Sequence, residues 1–421
     1  MISFFYKYWL NSSTLFKGTI YLSLGQLFFF LSSYITHIFL GRSLGPANYG
    51  AYSLVISIIT IANLVVTTGI PRATSKFISE NPKNIINITR TSFGLQAILS
   101  LLVSIIFILI SPGISVMLRD RAISRYFYLS TLIIPFYAVY SLINNIFNGI
   151  RDYKKQALVQ ILFYLGKIFF IILLALIYKS VASAIIGFSL SPIIAILIGI
   201  IVFPKTNKLN RKEKFSKSKI INFATPIIIF SVLTHLLYSL DMIFLKYISK
   251  DNMIIGFYSA ASNLAKIISF LPVPISFVIF PAISRSNYIN NNEKTKNYMK
   301  KSYLYLILPI FLVLAIFLSF GEQIVTVLFT SEYLPSVGLF KILSIAMGFY
   351  ALYILSQIII SGINKPSINI FIAIFALIIY VFSNLLLIPN YQAAGAAYST
   401  LITSFTGFIL SALYIYKRVY K

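Results

Sequence analysis

Gly50-Ala51-Tyr52-Ser53 opens an apolar run that closes at Pro71 with Lys76 beyond it; 206 residues later Gly256-Phe257-Tyr258-Ser259 opens another that closes at Pro281 with Arg285 beyond it. Two runs of one design mark a duplicated chain. Further pairs keep the same order: Asn148-Gly149-Ile150 with Ser361-Gly362-Ile363, and Ala182-Ser183-Ala184 with Ala393-Ala394-Gly395.

The solvent of these runs is lipid. Of the 421 residues, 58% are hydrophobic and 10% charged, with a mean hydropathy of +0.88, so a soluble fold would leave much of its apolar surface in water. A spanning helix needs about 20 mostly apolar residues. Twelve stretches qualify: Leu15 to Leu40, Tyr49 to Ile70, Ser92 to Ile110, Tyr126 to Phe147, Ala157 to Tyr178, Val181 to Phe203, Ile221 to Ile248, Ile254 to Ile283, Tyr303 to Phe320, Ser336 to Ser361, Ser367 to Ile388 and Ala393 to Tyr416. Barrel-strand alternation is absent, so the fold class expected is an all-α polytopic membrane protein of about twelve transmembrane helices.

The basic loop Pro204 to Lys219 divides the chain into a six-helix lobe over 1–203 and a second over 220–421. An even number of spans returns the chain to its starting side, so the lobes are parallel repeats about an axis along the membrane normal. Facing lobes of this kind enclose a midplane cavity that rocking opens to either side, which is transporter architecture. With the N-terminus cytoplasmic, 25 of the 35 Lys and Arg fall on the inner side, seven outside and three within spans. The positive-inside rule then puts both termini in the cytoplasm of a multi-pass plasma-membrane protein. The net charge of +26 is mostly topology signal, with anionic-lipid contact secondary, and does not indicate nucleic acid.

Several classes of chemistry are disfavoured. There is no cysteine and no phosphate-binding loop, and the two histidines are far apart without zinc-motif spacing, so no cofactor or metal is expected. Met1 to Phe16 is basic and aromatic without a small-residue cleavage site and reads as an interfacial lead-in. An enzyme such as a membrane glycosyltransferase or polymerase needs acidic metal ligands or a base near the surface. Asp120, Glu322 and Glu332 stand without acidic partners.

The run Leu40-Gly41-Arg42-Ser43-Leu44-Gly45-Pro46-Ala47-Asn48-Tyr49-Gly50-Ala51-Tyr52-Ser53 resembles the opening signature of the polysaccharide and lipid-linked oligosaccharide flippases. Thr68-Gly69-Ile70-Pro71-Arg72-Ala73, Leu240-Asp241-Met242-Ile243-Phe244-Leu245, Ile255-Gly256-Phe257-Tyr258-Ser259-Ala260-Ala261, Phe280-Pro281-Ala282-Ile283-Ser284-Arg285 and Gly395-Ala396-Ala397-Tyr398 continue the likeness over nearly the whole chain. The resemblance implies the multidrug/oligosaccharidyl-lipid/polysaccharide exporter superfamily and its MATE-like fold. It also implies a function: moving a polyprenyl-pyrophosphate-linked glycan from the cytoplasmic to the outer leaflet by alternating access. The partners it implies are the lipid-linked oligosaccharide, membrane lipids and the glycosyltransferases of polysaccharide assembly. Relatives hold the pyrophosphate with cavity cations. Where the family often has an Arg after the Tyr-Ser-Ala motif, this chain has Asn263, and Lys266 follows about one turn on.

Ionisable groups within spans are Lys167, Asp241, Lys266 and Lys341, with His37 and His235 beside them. A charge at a helix centre costs about 2.5 to 3.5 kcal/mol on insertion scales and defaults to a functional reading. Lys167 and Lys266 are the cavity candidates for the substrate, with Lys17 and Arg72 at the cytoplasmic mouth. Lys341 lies near its helix start and snorkels. Asp241 pairs with a cavity lysine, binds a coupling cation or hydrogen-bonds a substrate sugar; its repeat-related position holds Thr36. That substitution, with no acid in any first-half span, disfavours the alternative of a cation-coupled multidrug exporter.

Overall fold

The computed structural model describes residues 14–203, 215–289, 291–363 and 366–419; the lead-in Met1 to Phe16 and the basic loop Pro204 to Lys219 fall largely outside them. In chain order the helices are α1 (Thr14–Glu80), α2 (Ile85–Met117), α3 (Ser124–Ser130), α4 (Ile133–Gly149), α5 (Tyr153–Tyr178), α6 (Val181–Leu190) and α7 (Ile193–Ile201) in the first half. The second half holds α8 (Lys217–Ser249), α9 (Asn252–Ala265), α10 (Pro272–Tyr288), α11 (Asn292–Ser319), α12 (Gly321–Leu328), α13 (Ser336–Gly362) and α14 (Pro366–Val419). The described residues contain no strand.

Nine helical runs among them are long and apolar enough to cross a membrane. Two of these, α1 and α14, are of double length, bent at Gly45 (φ 72°) and Gln392 (φ 48°), and the 33-residue α8 adds a further span, which gives twelve. The apolar pattern understates several helices: α1 runs ten residues past Ile70, because polar residues outside lipid continue a helix as readily as apolar ones inside it. Prolines account for the breaks within spans. Pro135 cannot donate to the Thr131 carbonyl, where α3 gives way to α4, and Pro192 separates α6 from α7. The carbonyl of Phe188, which Pro192 leaves without its helical donor, accepts a long bond from the Tyr137 hydroxyl at 3.4 Å.

Several joints between helices have positive φ: Gly45 (φ 72°), Arg119 (φ 54°), Arg151 (φ 60°), Lys179 (φ 43°), Lys250 (φ 61°) and Gln392 (φ 48°). Two of the few acids serve the turns: Asp152 and Asp251 accept backbone amides at the starts of α5 and α9.

By internal contacts the chain forms two compact units. One holds the described residues up to Leu44 together with Leu54–Leu236, the other Gly45–Ser53 together with those from Leu237 onward. In the first unit α1 and α5 run parallel and in step, with Gly18 against Tyr153, Gly25 against Gln160 and the Phe29 ring 5.6 Å from that of Tyr164. Gln96 ties α2 to two neighbours through the carbonyls of Val66 (2.5 Å) and Ala138 (3.2 Å).

In the second unit the two repeated glycines meet. A Cβ on Gly50 would fall on the Asn252 carbonyl and 2.7 Å from the Gly256 nitrogen, and one on Gly256 would fall on the Pro46 carbonyl. The fully buried Tyr49 seals the contact, its ring 6.0 Å from Phe329 and 6.3 Å from Tyr333, its hydroxyl accepting from Asn263 at 3.0 Å.

Gly50→Ala and Gly256→Ala are therefore expected to destabilise the protein by on the order of 1–3 kcal/mol. Gly94→Ala, at a position where an added Cβ meets nothing within 4 Å, is expected to be neutral or mildly stabilising. Thermal unfolding of the purified variants in detergent checks the contrast.

Candidate functional site

Lys167 lies fourteen residues into the 26-residue α5, about 21 Å along the helix from its start and so near mid-bilayer. Its side chain is 9% exposed, and its ammonium sits 5.4 Å from the centre of the Phe188 ring. Among the described residues it has no hydrogen bond and no ion pair. The rings around it come from three helices. Tyr140 stacks on Phe163 at 4.2 Å, Tyr137 stacks on Phe188 and meets Phe163 edge-on, both at 5.3 Å, and Tyr164 lies 4.9 Å from Phe163. Phe163 and Tyr164 precede Lys167 by four and three residues and so share its face of α5. The first unit thus presents a lone cation in an aromatic cup, an arrangement that attracts an anion and gives flat apolar surface beside it.

Lys17 and Arg72 are not brought to Lys167. The in-step packing of α1 on α5 sets Lys17 level with Asp152, roughly 22 Å down the helix from Lys167. Arg72 is exposed, one turn before Ser75, whose hydroxyl donates to Asn148 near the end of α4. Both therefore stand at the basic end of the unit.

Asp241 and Lys266 are brought together in the second unit. They line one cavity of about 30 Å³ with Ser262, Tyr350, Tyr353, Tyr380, Thr400, Thr403 and Ser404. Asp241 is 5% exposed; its carboxylate accepts from the Tyr258 hydroxyl at 2.6 Å and the Met242 amide at 2.8 Å, with Tyr380 facing it too. Thr400 lies 3.5 Å from the Tyr258 oxygen. Lys266 is half-buried, and its ammonium stands beyond the 4.0 Å of a direct ion pair from the carboxylate. It sits where α9 passes into a 3₁₀ turn, Lys266–Phe270, because Pro272 and Pro274 deprive Ile268 and Phe270 of their helical donors.

α9 has two working faces. Gly256, Ser259 and Asn263 turn to the Gly45–Ser53 segment, while Tyr258, Ser262 and Lys266, each four residues apart, turn to Asp241 and its cavity. Asn263, where the resemblance implies an Arg, bonds Tyr49 at 3.0 Å and Ser259 at 3.3 Å through its amide. Lys341 lays its stem along Gly321, Cε 3.3 Å from where a Cβ would be. Lys246 is buried and caps the turn before α9 through Asn252 Oδ1 (2.7 Å) and the Lys250 carbonyl (3.2 Å). Nothing in the sequence pattern singled out Tyr380 and Thr400, or the rings around Lys167. Tyr258 was visible, but as part of the repeat motif.

The sequence pattern of the family described as "Polysaccharide biosynthesis protein" matches residues 15–287, well over half the chain. The chain belongs to that family. It is 22% identical to the uncharacterized membrane protein MJ1375 of Methanocaldococcus jannaschii, over 95% of this chain and 97% of that one. It is 28% identical to the capsular polysaccharide biosynthesis protein CapF of Staphylococcus aureus, over 39% of this chain and 42% of that one. Two solved structures share the fold of this family member. The lipid II flippase MurJ in an inward closed conformation has a TM-score of 0.77 at 13% identity, over 94% of this chain and 87% of that one. An inward-facing multidrug resistance MATE family transporter of the MOP superfamily has a TM-score of 0.75 at 16% identity, over 95% and 98%. The architecture is thus the MATE-like fold that these two structures share.

A buried cation without a partner is a stability cost that an apolar side chain of similar length removes, so Lys167→Met is expected to raise thermal stability by on the order of 1–3 kcal/mol. Tyr258→Phe, which takes a donor from a buried carboxylate, is expected to lower it by about 1.5–3 kcal/mol. Unfolding midpoints of the two variants should move in opposite directions.

Proposed function

We propose that this family member moves a polyprenyl-pyrophosphate-linked glycan from the cytoplasmic to the outer leaflet of the plasma membrane by alternating access. The observation that carries the reading is Lys167, a mid-membrane cation whose ammonium has no acid partner among the described residues. Such a charge persists when its partner is a ligand, and the ligand it calls for is an anion. The family description and the roles named for two similar proteins, capsular polysaccharide biosynthesis for CapF and lipid II flipping for MurJ, support this reading of the chemical class.

The physical task is desolvation. An unpaired charge in hydrocarbon costs tens of kcal/mol in the Born limit, so a pyrophosphate bearing sugars needs a wet, cation-lined path while its polyprenyl tail stays in lipid. In this reading Lys17 and Arg72 receive the headgroup at the basic, cytoplasmic end. Lys167 then holds it by charge-assisted bonds, with the surrounding rings against the sugars. Asp241 and Lys266 shape the second unit's side of the cycle. Both termini are cytoplasmic, and glycosyltransferases of polysaccharide assembly provide the substrate. With the cytoplasm negative, each net negative charge carried outward gains about 2.3 kcal/mol per 100 mV.

The test is reconstitution of the purified protein in vesicles with a fluorescent lipid-linked glycan, scored by exposure of the label in the outer leaflet. Wild type should accelerate exposure. Lys167→Ala should slow it about 10- to 100-fold, the loss of one charge-assisted bond, and Lys167→Arg should keep much of the rate. Equal rates for wild type and Lys167→Ala would exclude the assignment of Lys167, and equal rates with and without protein would exclude the substrate class.

A further inference from the structure

Asp241 is the acid that a coupled transporter would use to hold a free cation, and the cavity beside it has the chemistry of such a site. Hydroxyl oxygens from Ser262, Tyr380, Thr400, Thr403 and Ser404 surround a space of about 30 Å³, room for a water or two or a bare monovalent cation and too small for a sugar ring. The Thr403 oxygen is buried without a hydrogen-bond partner, so the lining keeps acceptor capacity to spare. What distinguishes the site is that the same wall carries Lys266, whose charge acts directly on Asp241 although the two groups are not in contact.

We propose that Lys266 is a tethered counter-cation, standing covalently in the place a free monovalent cation would take beside Asp241, and that the second unit accordingly binds no free cation there. Three observations lead to this reading. The carboxylate accepts from the Tyr258 hydroxyl and the Met242 amide, which hold it in place, and when ionised it calls for one positive charge. Lys266 supplies it from across the cavity, on the same face of α9 as Tyr258 and Ser262, so the pair is neutral as a whole and the interior carries no uncompensated charge. The repeat-related Thr36 closes on its own helix through the carbonyls of Ser32 (2.6 Å) and Ser33 (3.0 Å), so the first unit has no second copy of the site.

The inference is independent of what the chain carries, and its test uses no substrate. Purified full-length protein is assayed for saturable binding of radioactive sodium and for thermal unfolding in sodium chloride against choline chloride. Wild type should bind none at Asp241 and unfold at the same temperature in both salts. Lys266→Met, which keeps the stem and removes the charge, should gain one saturable sodium site per chain and a midpoint that rises with sodium. The double variant Lys266→Met with Asp241→Asn should lose both gains. Lys266→Gln serves as a second uncharged variant should the first fold poorly. Saturable sodium binding by wild type that Asp241→Asn abolishes would overturn the proposal, as would a folded Lys266→Met or Lys266→Gln that binds no sodium.

Discussion

The close approach of Gly50 to Gly256 is the constraint on which the second unit is built. Lipid gives helices little reason to prefer each other over hydrocarbon, so association rests on close van der Waals packing and on hydrogen bonds that hydrocarbon cannot offer. Two glycines at one crossing allow backbone to touch backbone, and Tyr49 and Asn263 add the bond that fixes its register. Once Gly256, Ser259 and Asn263 are committed to that contact, helical geometry leaves Tyr258, Ser262 and Lys266 on another face. The position of the Asp241 cavity therefore follows from a packing contact that contains no charge.

The two units handle intramembrane charge in opposite ways. In the second, acid and base share a cavity and compensate each other through hydroxyls and the space between them. In the first, Lys167 is buried among rings without a compensating acid among the described residues. An acid and a base on one cavity can compensate each other, whereas a buried cation without an acid nearby carries a desolvation cost that its own unit does not offset.

Much of the architecture was legible because lipid enforces it. The twelve apolar runs follow from hydropathy and the MATE-like expectation from the family resemblance, and the twelve spans of the structure agree with them. Helix ends were less legible, since α1 carries Lys76 and Glu80 as an ordinary solvated i, i+4 pair beyond the last apolar residue. Asp241 and Lys266, both singled out in the sequence, line one cavity without a direct ion pair between them. The residues that make these sites were hidden for a specific reason. Tyr258 belongs to the repeated motif and so looked like scaffold, and the cup around Lys167 is assembled from α4, α5 and α6, whose side chains meet only after packing.

Duplication explains why the hidden residues lie where they do. The paired glycines of the two motifs are each pressed against the other's helix. Residues bound by such reciprocal contacts cannot change alone. Thr36 and Asp241 occupy the same place in the two halves but are free of that constraint, and they have diverged from a hydroxyl closed on its own helix to a buried carboxylate with its own lysine. A duplicated membrane protein is free to diverge where reciprocal packing does not bind its halves. A departure from the repeat within an otherwise symmetric span is then a better guide to function than the burial or the charge of any single residue.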